Sequence, residues 1–206
     1  LSDTPRPGNA KFKKLTPVDP NSTNPYQLTE ADRTVIGNTT PKFSGGFGLN
    51  ATYKGFDMSM FFNFMYDFDV LNANKIMLTT WADNKENNFL MDIASDKRWR
   101  NFDDMGNEIR YSPEVLAEFN KNATMWNPTS IGRPICMSYA VEDGSFLRLN
   151  SATLGYTLPS VWTKKVGLSK VRFYVSGNNL FTLTGYSGYD PEVNIATGLT
   201  PNIDYN

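Results

Sequence analysis

Carboxylates and aromatic rings are the side chains here that could do chemistry, and spacing separates the two. Asp103/Asp104 and Glu142/Asp143 are carboxylate pairs of the kind a glycosidase uses. Adjacent residues on an extended chain point to opposite faces, so neither pair is a ready acid/base couple. The chain has no His and one cysteine, Cys136, which removes Ser-His-Asp and Cys-His catalysis, His-ligated metals and any CxxC motif. Ser44-Gly-Gly-Phe-Gly48 is followed by no Lys-Ser/Thr and opens no helix, so it is not a phosphate cradle. Asp19–Glu30 matches a calcium loop at Asp19, Asn21 and Glu30, with Thr23 possible at the fifth position. Asn24 and Pro25 depart from that pattern, and a solvated Asn/Pro loop is the competing reading. No enzyme activity, cofactor or metal site is assigned.

The aromatics offer more. Trp81, Trp99, Trp126, Tyr111, Tyr186 and Tyr189 lie in long polar segments, where a ring with a polar handle can stack on a sugar or anchor a partner protein. The alternative is that they pack those segments against one another. Of these, Trp81, Trp99, Trp126, Tyr186 and Tyr189 are the candidate substrate- or partner-binding residues.

Composition narrows the class. Twenty Lys+Arg against 21 Asp+Glu leave a net charge of −1, too little basic excess for a nucleic-acid protein. Mean hydropathy is −0.43 and no apolar run approaches the length of a spanning helix. A spanning β-strand needs only about 9–11 alternating residues, so it stays open. The 22 Asn, 15 Gly and 12 Pro are turn formers that suit strands between long loops. Leu1–Pro7 reads as loop rather than as a basic–apolar signal sequence, which leaves a mature start or a piece of a longer chain.

Two segments must position these residues. From Phe43 to Tyr53 the period is 2, Lys54-Gly55 breaks it, and Phe56 to Tyr66 resumes it: a hairpin with aromatics at both ends of its apolar face. Ser145–Leu158 and Val171–Leu183 form a second pair, with a phase slip that a bulge between Asn150 and Thr153 would reconcile. Arg148 and Arg172 could line a polar conduit or form interstrand ion pairs. Residues 67–144 are polar and Asn-rich. Helices are expected near Asn84–Lys97 and from Ser112, with Pro113 at its first position, to about Asn120. Residues 1–42 are Pro-rich loop, with a short extended stretch at Asp32–Asn38. On alternation alone, a membrane barrel and a soluble sandwich both stand; short links at one end and long loops at the other belong to the barrel.

Specific runs carry a family resemblance. Glu142-Asp-Gly-Ser-Phe-Leu-Arg-Leu-Asn-Ser-Ala-Thr-Leu-Gly-Tyr-Thr-Leu-Pro159 resembles a conserved block of SusC/RagA-type TonB-dependent outer-membrane transporters. Gly177-Asn-Asn-Leu-Phe-Thr-Leu-Thr-Gly-Tyr-Ser-Gly-Tyr-Asp-Pro-Glu-Val193 resembles their signature near the C-terminus. Asp32–Asn38, Pro41-Lys42-Phe43, Tyr53-Lys-Gly-Phe-Asp57 and Arg98-Trp99 are similar to further markers in the same order.

The resemblance implies an all-β fold, with antiparallel transmembrane strands that are part of a 22-stranded barrel and long extracellular loops containing short helices. It implies import of oligosaccharides or peptides across the outer membrane of a Gram-negative bacterium. The implied partners are a SusD-like lipoprotein, the lipid bilayer and the TonB complex, the last acting through a plug. The expected layout is extracellular loop at 1–42, barrel hairpin at 43–66, long extracellular loop region at 67–144, barrel hairpin at 145–183 and extracellular loop at 184–206. Plug, TonB box and final strand are expected outside this chain. The rival is a soluble secreted carbohydrate-binding β-sandwich.

Overall fold

The computed structural model describes residues 6–18, 20–25, 27–80, 88–94, 96–130 and 135–192, together with the backbone of Ile203–Asp204. The chain divides into two compact units, one of residues 37–71 and 141–204, the other of residues 1–36, 72–140 and 205–206.

The first unit is built on a four-stranded antiparallel sheet. Its strands are β1 (Phe43–Tyr53), β2 (Phe56–Tyr66), β5 (Phe146–Thr157) and β6 (Arg172–Thr184), in the order β1-β2-β5-β6. Alternation is what makes them strands. Phe43, Phe47, Leu49 and Tyr53 pair with Tyr66, Phe62, Met60 and Phe56 on one face, and Gly46, Asn50 and Thr52 pair with Asn63, Ser59 and Asp57 on the other. The two-residue link has positive φ at both Lys54 (46°) and Gly55 (90°), as a type I′ turn matching strand twist requires.

The phase slip falls at Asn150. Phe62 faces Leu149 while Phe61 faces Ser151, so Asn150 is extra. On the far side Leu149 faces Phe181 and Ser151 faces Asn178, leaving Asn179 (φ 49°) and Leu180 outside the ladder. This double irregularity keeps one face apolar along its length. Leu147, Leu149, Ala152, Leu154 and Tyr156 continue the Phe/Met column of β2 and meet Leu183, Phe181, Gly177, Val175 and Phe173 of β6.

That apolar face is open: Phe47 is 44%, Leu49 50% and Val175 68% exposed. Ring pairs brace it across strands, with Phe43 stacked on Tyr66 at 5.0 Å and Phe47 on Phe62 at 4.9 Å. The opposite face carries the charged and polar residues Asp57, Ser59, Asn63, Arg148 and Arg172 beside Phe61, Met65 and Tyr174, and glycines make room on it for neighbouring side chains. A Cβ on Gly46 would come within 2.8 Å of the Phe61 ring.

A second, three-stranded sheet has the order β4-β3-β7, from β3 (Asp69–Asn72), β4 (Val141–Asp143) and β7 (Ile203–Asp204). Between the sheets' strands Phe68, Val70, Phe146 and Tyr186 form a buried cluster, with Met65 packed against it. Gly144 fits there because a Cβ would sit 2.6 Å from Phe68 and Val70.

The other unit has little regular structure: helices α1 (Ala73–Met77) and α2 (Pro113–Phe119) and single 3-10 turns. Helix α2 starts after Ser112 with Pro113 in its first turn and closes at Asn120, although the Ser112 side chain makes no capping bond. The helix expected over Asn84–Lys97 is not formed in its described part, which holds only the 3-10 turn Met91–Ile93. Ile93 is buried there while Met91 is 77% exposed, so the apolar stripe is too narrow to hold a helix against a core. Residues 84–87 and 95 of that segment lie outside the described residues.

Of the stretch expected to be extended at Asp32–Asn38, Asp32 closes a 3-10 turn (Glu30–Asp32), Arg33 is extended (φ −80°, ψ 141°), and residues 33–38 form no strand. Asp32 is drawn out of a strand by other partners. Its carboxylate accepts from the amides of Leu15 and Thr16 at 2.9 and 2.8 Å, from Thr29 N at 2.8 Å, and from both threonine hydroxyls.

Candidate functional site

Two groups of side chains merit attention, one in each unit. In the unit containing 72–140, Trp99 and Trp126 are brought into one neighbourhood by backbone pairing. Trp99 N donates to Met125 O at 2.9 Å, and Asn127 N donates to Gly8 O at 2.8 Å. Gly8 lies against the Trp99 indole, where a Cβ would come within 2.3 Å of the ring. Trp126 meets Tyr139 edge-on at 5.0 Å, the Lys75 ammonium lies 4.5 Å above the Tyr139 ring, and the Tyr139 hydroxyl reaches Asp92 at 3.3 Å. Among the described residues, the Nε1 of Trp99, the Nε1 of Trp126 and the Oγ of Ser130 are buried without a hydrogen-bond partner. A buried donor left unmade costs about 1–3 kcal/mol, so orphaned donors mark places where an acceptor is worth most.

The other aromatics separate. Tyr186 belongs to the buried cluster with Phe68, Val70 and Phe146, which withdraws its ring from solvent. Tyr189 is 87% exposed, and Tyr111 is also exposed, with the Arg110 guanidinium 5.4 Å from its ring centre. Trp81 lies outside the described residues.

In the sheet unit, the polar face carries two ion-pair clusters. Arg172 on β6 donates to Asp57 on β2 across the intervening β5, with Nε at 3.0 Å from Oδ1. They meet over Gly155, where a Cβ would sit 2.5 Å from the guanidinium and 2.7 Å from the carboxylate. Arg148 is nearly buried and holds the 190–192 segment against the sheet. It pairs with Asp190, reaches Glu192 at 3.0 Å and donates to Thr182 Oγ1 at 3.1 Å. Asn63, its register partner on β2, keeps a buried and unpaired Oδ1. Both arginines therefore serve ion pairs on the polar face.

The carboxylate pairs split as backbone geometry requires. Asp103 accepts from the amides of Met105 and Asn107 at 2.9 and 2.8 Å, while Asp104 pairs with Arg100 at 2.7 Å. Bonds from the Asn107 side chain and from the loop amides hold the Asp103 carboxyl below its ordinary range. Glu142 accepts from Ser187 N and Oγ at 2.9 and 2.8 Å, and Asp143 from Ser145 N and Oγ. Each acid has its own partner, and no pair shares a site.

Asp19 lies outside the described residues, and Glu30 pairs with Arg33 at 2.8 Å. Among the described residues no group of three His, Cys, Asp or Glu could hold a metal ion. Sequence reasoning missed Tyr139, Lys75 and Asp92, because residues in irregular chain carry no periodic signal.

Strands of 11–13 residues with one open apolar face and one ion-paired face have the length and alternation of strands that can span a bilayer. Comparison with known proteins gives the family. The chain is 36% identical over 194 residues to TonB-dependent receptor P3 of Formosa agariphila, covering 94% of this chain and 16% of that receptor. It is 27% identical over 175 residues to TonB-dependent receptor P39 of the same organism, covering 84% of this chain and 15% of that receptor. Its fold matches the structure of the RagAB peptide importer in the 'closed-closed' state with a TM-score of 0.60 at 23% identity, over 86% of this chain and 17% of that one. No family profile matches the chain. The chain belongs to the TonB-dependent receptors and shares its fold with the RagAB structure, and it spans about one sixth of the length of the curated relatives it matches.

Proposed function

We propose that the chain forms part of the wall and loops of an outer-membrane transporter in a Gram-negative bacterium, a 22-stranded barrel that imports oligosaccharides or peptides. One observation carries this reading. The face bearing Phe43, Phe47, Leu49, Phe173 and Val175 lies open while the reverse face satisfies its charges internally, which suits lipid outside and water inside. A soluble sandwich would bury that apolar face against a second sheet.

In this reading residues 43–66 and 145–183 are wall hairpins, and 1–42, 67–144 and 184–206 are extracellular. A SusD-like surface lipoprotein is the partner at the loops, and the TonB complex supplies energy through the plug of the whole protein. The chain contributes recognition and no covalent step. Trp99, Trp126 and Tyr189 are the proposed contacts: Tyr189 stands in solvent, and the unpartnered N–H groups of Trp99 and Trp126 would donate to a carbonyl or hydroxyl oxygen of a ligand or partner once their loops open. Trp81 and Tyr186 keep a lesser place, Tyr186 by fixing the loop that displays Tyr189.

The test is isolation of the full-length protein from outer membranes in detergent, followed by uptake measurements with labelled peptides and oligosaccharides. The expected result is a heat-modifiable barrel that retains a lipoprotein and supports uptake of one substrate class. A water-soluble 23.2 kDa monomer that binds sugar would replace this reading with the sandwich.

A further inference from the structure

The link between β5 and β6 is more than a turn. It folds into helix α3 (Ser160–Lys165), closed by Leu168 N donating to Thr163 O at 3.0 Å, with Thr163 buried beneath. Around that buried threonine stand four bulky apolar side chains in the open: Val161 (67% exposed), Trp162 (60%), Val166 (71%) and Leu168 (50%). Six helical residues offer no core of their own to cover them.

Their position is informative. The pairs Leu154–Val175 and Tyr156–Phe173 lie on the apolar face, and Leu158 N donating to Val171 O at 2.9 Å carries that ladder into the link. The strands that carry the apolar face lead directly into the link that bears Val161, Trp162 and Val166. Charge accompanies it. Lys164 and Lys165 occupy the last turn of α3, and Lys54 lies at the neighbouring short link, 5.2 Å from the Tyr53 ring. No Asp or Glu occurs from Gly155 to Tyr189.

We infer that the β5–β6 link is an interfacial anchor, seated in the headgroup layer of the bilayer at the short-link end and selective for anionic phospholipid. Trp162, Val161 and Val166 enter the upper acyl region, where an indole finds both an apolar body and a polar rim. Lys164, Lys165 and Lys54 meet the lipid phosphates, their methylene stems lying along the apolar surface. The inference deepens the proposed function, because it rests on the sheet's apolar face meeting lipid.

The experiment uses the full-length transporter in bilayers of mixed phosphatidylcholine and phosphatidylglycerol, with one or the other brominated. A bimane probe is attached at Val166→Cys or, separately, at Phe47→Cys, with other cysteines replaced. The expected result is quenching at position 166, stronger from brominated phosphatidylglycerol. The double variant Lys164→Glu/Lys165→Glu should abolish that preference, each lysine being worth about fivefold.

Equal quenching by the two lipids would overturn the anionic selectivity. A probe at 166 that iodide reaches and lipid does not, or that neither reaches, would overturn the anchor while quenching at 47 leaves the barrel standing. Absence of lipid quenching at 47 would remove the lipid-facing assignment itself.

Discussion

The four-stranded sheet and the 72–140 segment invert each other. On the sheet, large apolar side chains stand open and charged groups are paired, whereas the segment buries Ile76, Ile93 and Ile109 together with the polar Thr79, Thr80 and Asn120. The sheet takes its order from a backbone ladder with a fixed register. The segment takes its order from single side chains that bond to backbone. Asn120 accepts from Arg100 N at 2.7 Å and donates to Arg100 O and Leu116 O at 2.9 Å. The difference teaches where each can fail: the sheet through one wrong face, the segment through one lost amide.

The sharpest break is Met60→Arg, which puts a charge midway along the apolar face. It should cost about 2–4 kcal/mol and abolish the heat-modifiable band of the full transporter. Normal barrel yield would reverse the assignment of the two faces. Next is Gly155→Val, on the polar face. The new side chain must part Arg172 from Asp57, and overpacking of about 1–3 kcal/mol should lower folded yield without abolishing insertion.

In the segment, Asn120→Ala strands the Arg100 amide and should loosen residues 98–120 by about 1–2 kcal/mol. Hydrogen exchange there should rise while the barrel band is unchanged; a weakened barrel would erase the contrast between regions. Asp32 sharpens it by pH. Amides of Thr16 and Thr29, joined by the Thr16 hydroxyl and Leu15 N, hold its carboxyl far below the ordinary 3.8. A depressed folded-state value gives stability that is complete above the unfolded-state value and is lost as the pH falls below it. Protection of the Thr16 and Thr29 amides should be flat from about pH 5 to 8 and should decline below about pH 4. The smallest effect is Tyr189→Ala, expected within about 0.5 kcal/mol in stability because the ring stands in solvent. Reduced uptake with unchanged stability would assign that ring to binding.

Much of the sheet was legible because alternation is a local property. The 43–66 hairpin has the expected ends, and the slip near Asn150 follows from the changed parity of Leu147/Leu149 against Leu154/Tyr156. Helix α2 was announced by Ser112-Pro113. Strands β3 and β4 were not foreseen, since four- and three-residue pairings between Asp69–Leu71 and Val141–Asp143 are decided by tertiary contact. Helix α3 was hidden behind its lysines and glycine. Among the candidate aromatics, residue type alone did not separate buried Tyr186 from exposed Tyr189; the fold does.

The Lys54-Gly55 link also sets an order of events in time. A two-residue closure with the right φ angles lets β1 and β2 zip in about 1–10 μs once the chain is free to do so. Strand β2 must then find β5 across roughly eighty residues, a closure costing about 3 kcal/mol more in chain entropy than the short link. The first hairpin is therefore a ready-made template for β5, and pairing can start where Met65 meets Phe146, the β2–β5 partners nearest in sequence. Until β5 arrives, the hairpin presents two unpaired edges, β1 on one side and the Phe56–Tyr66 strand on the other.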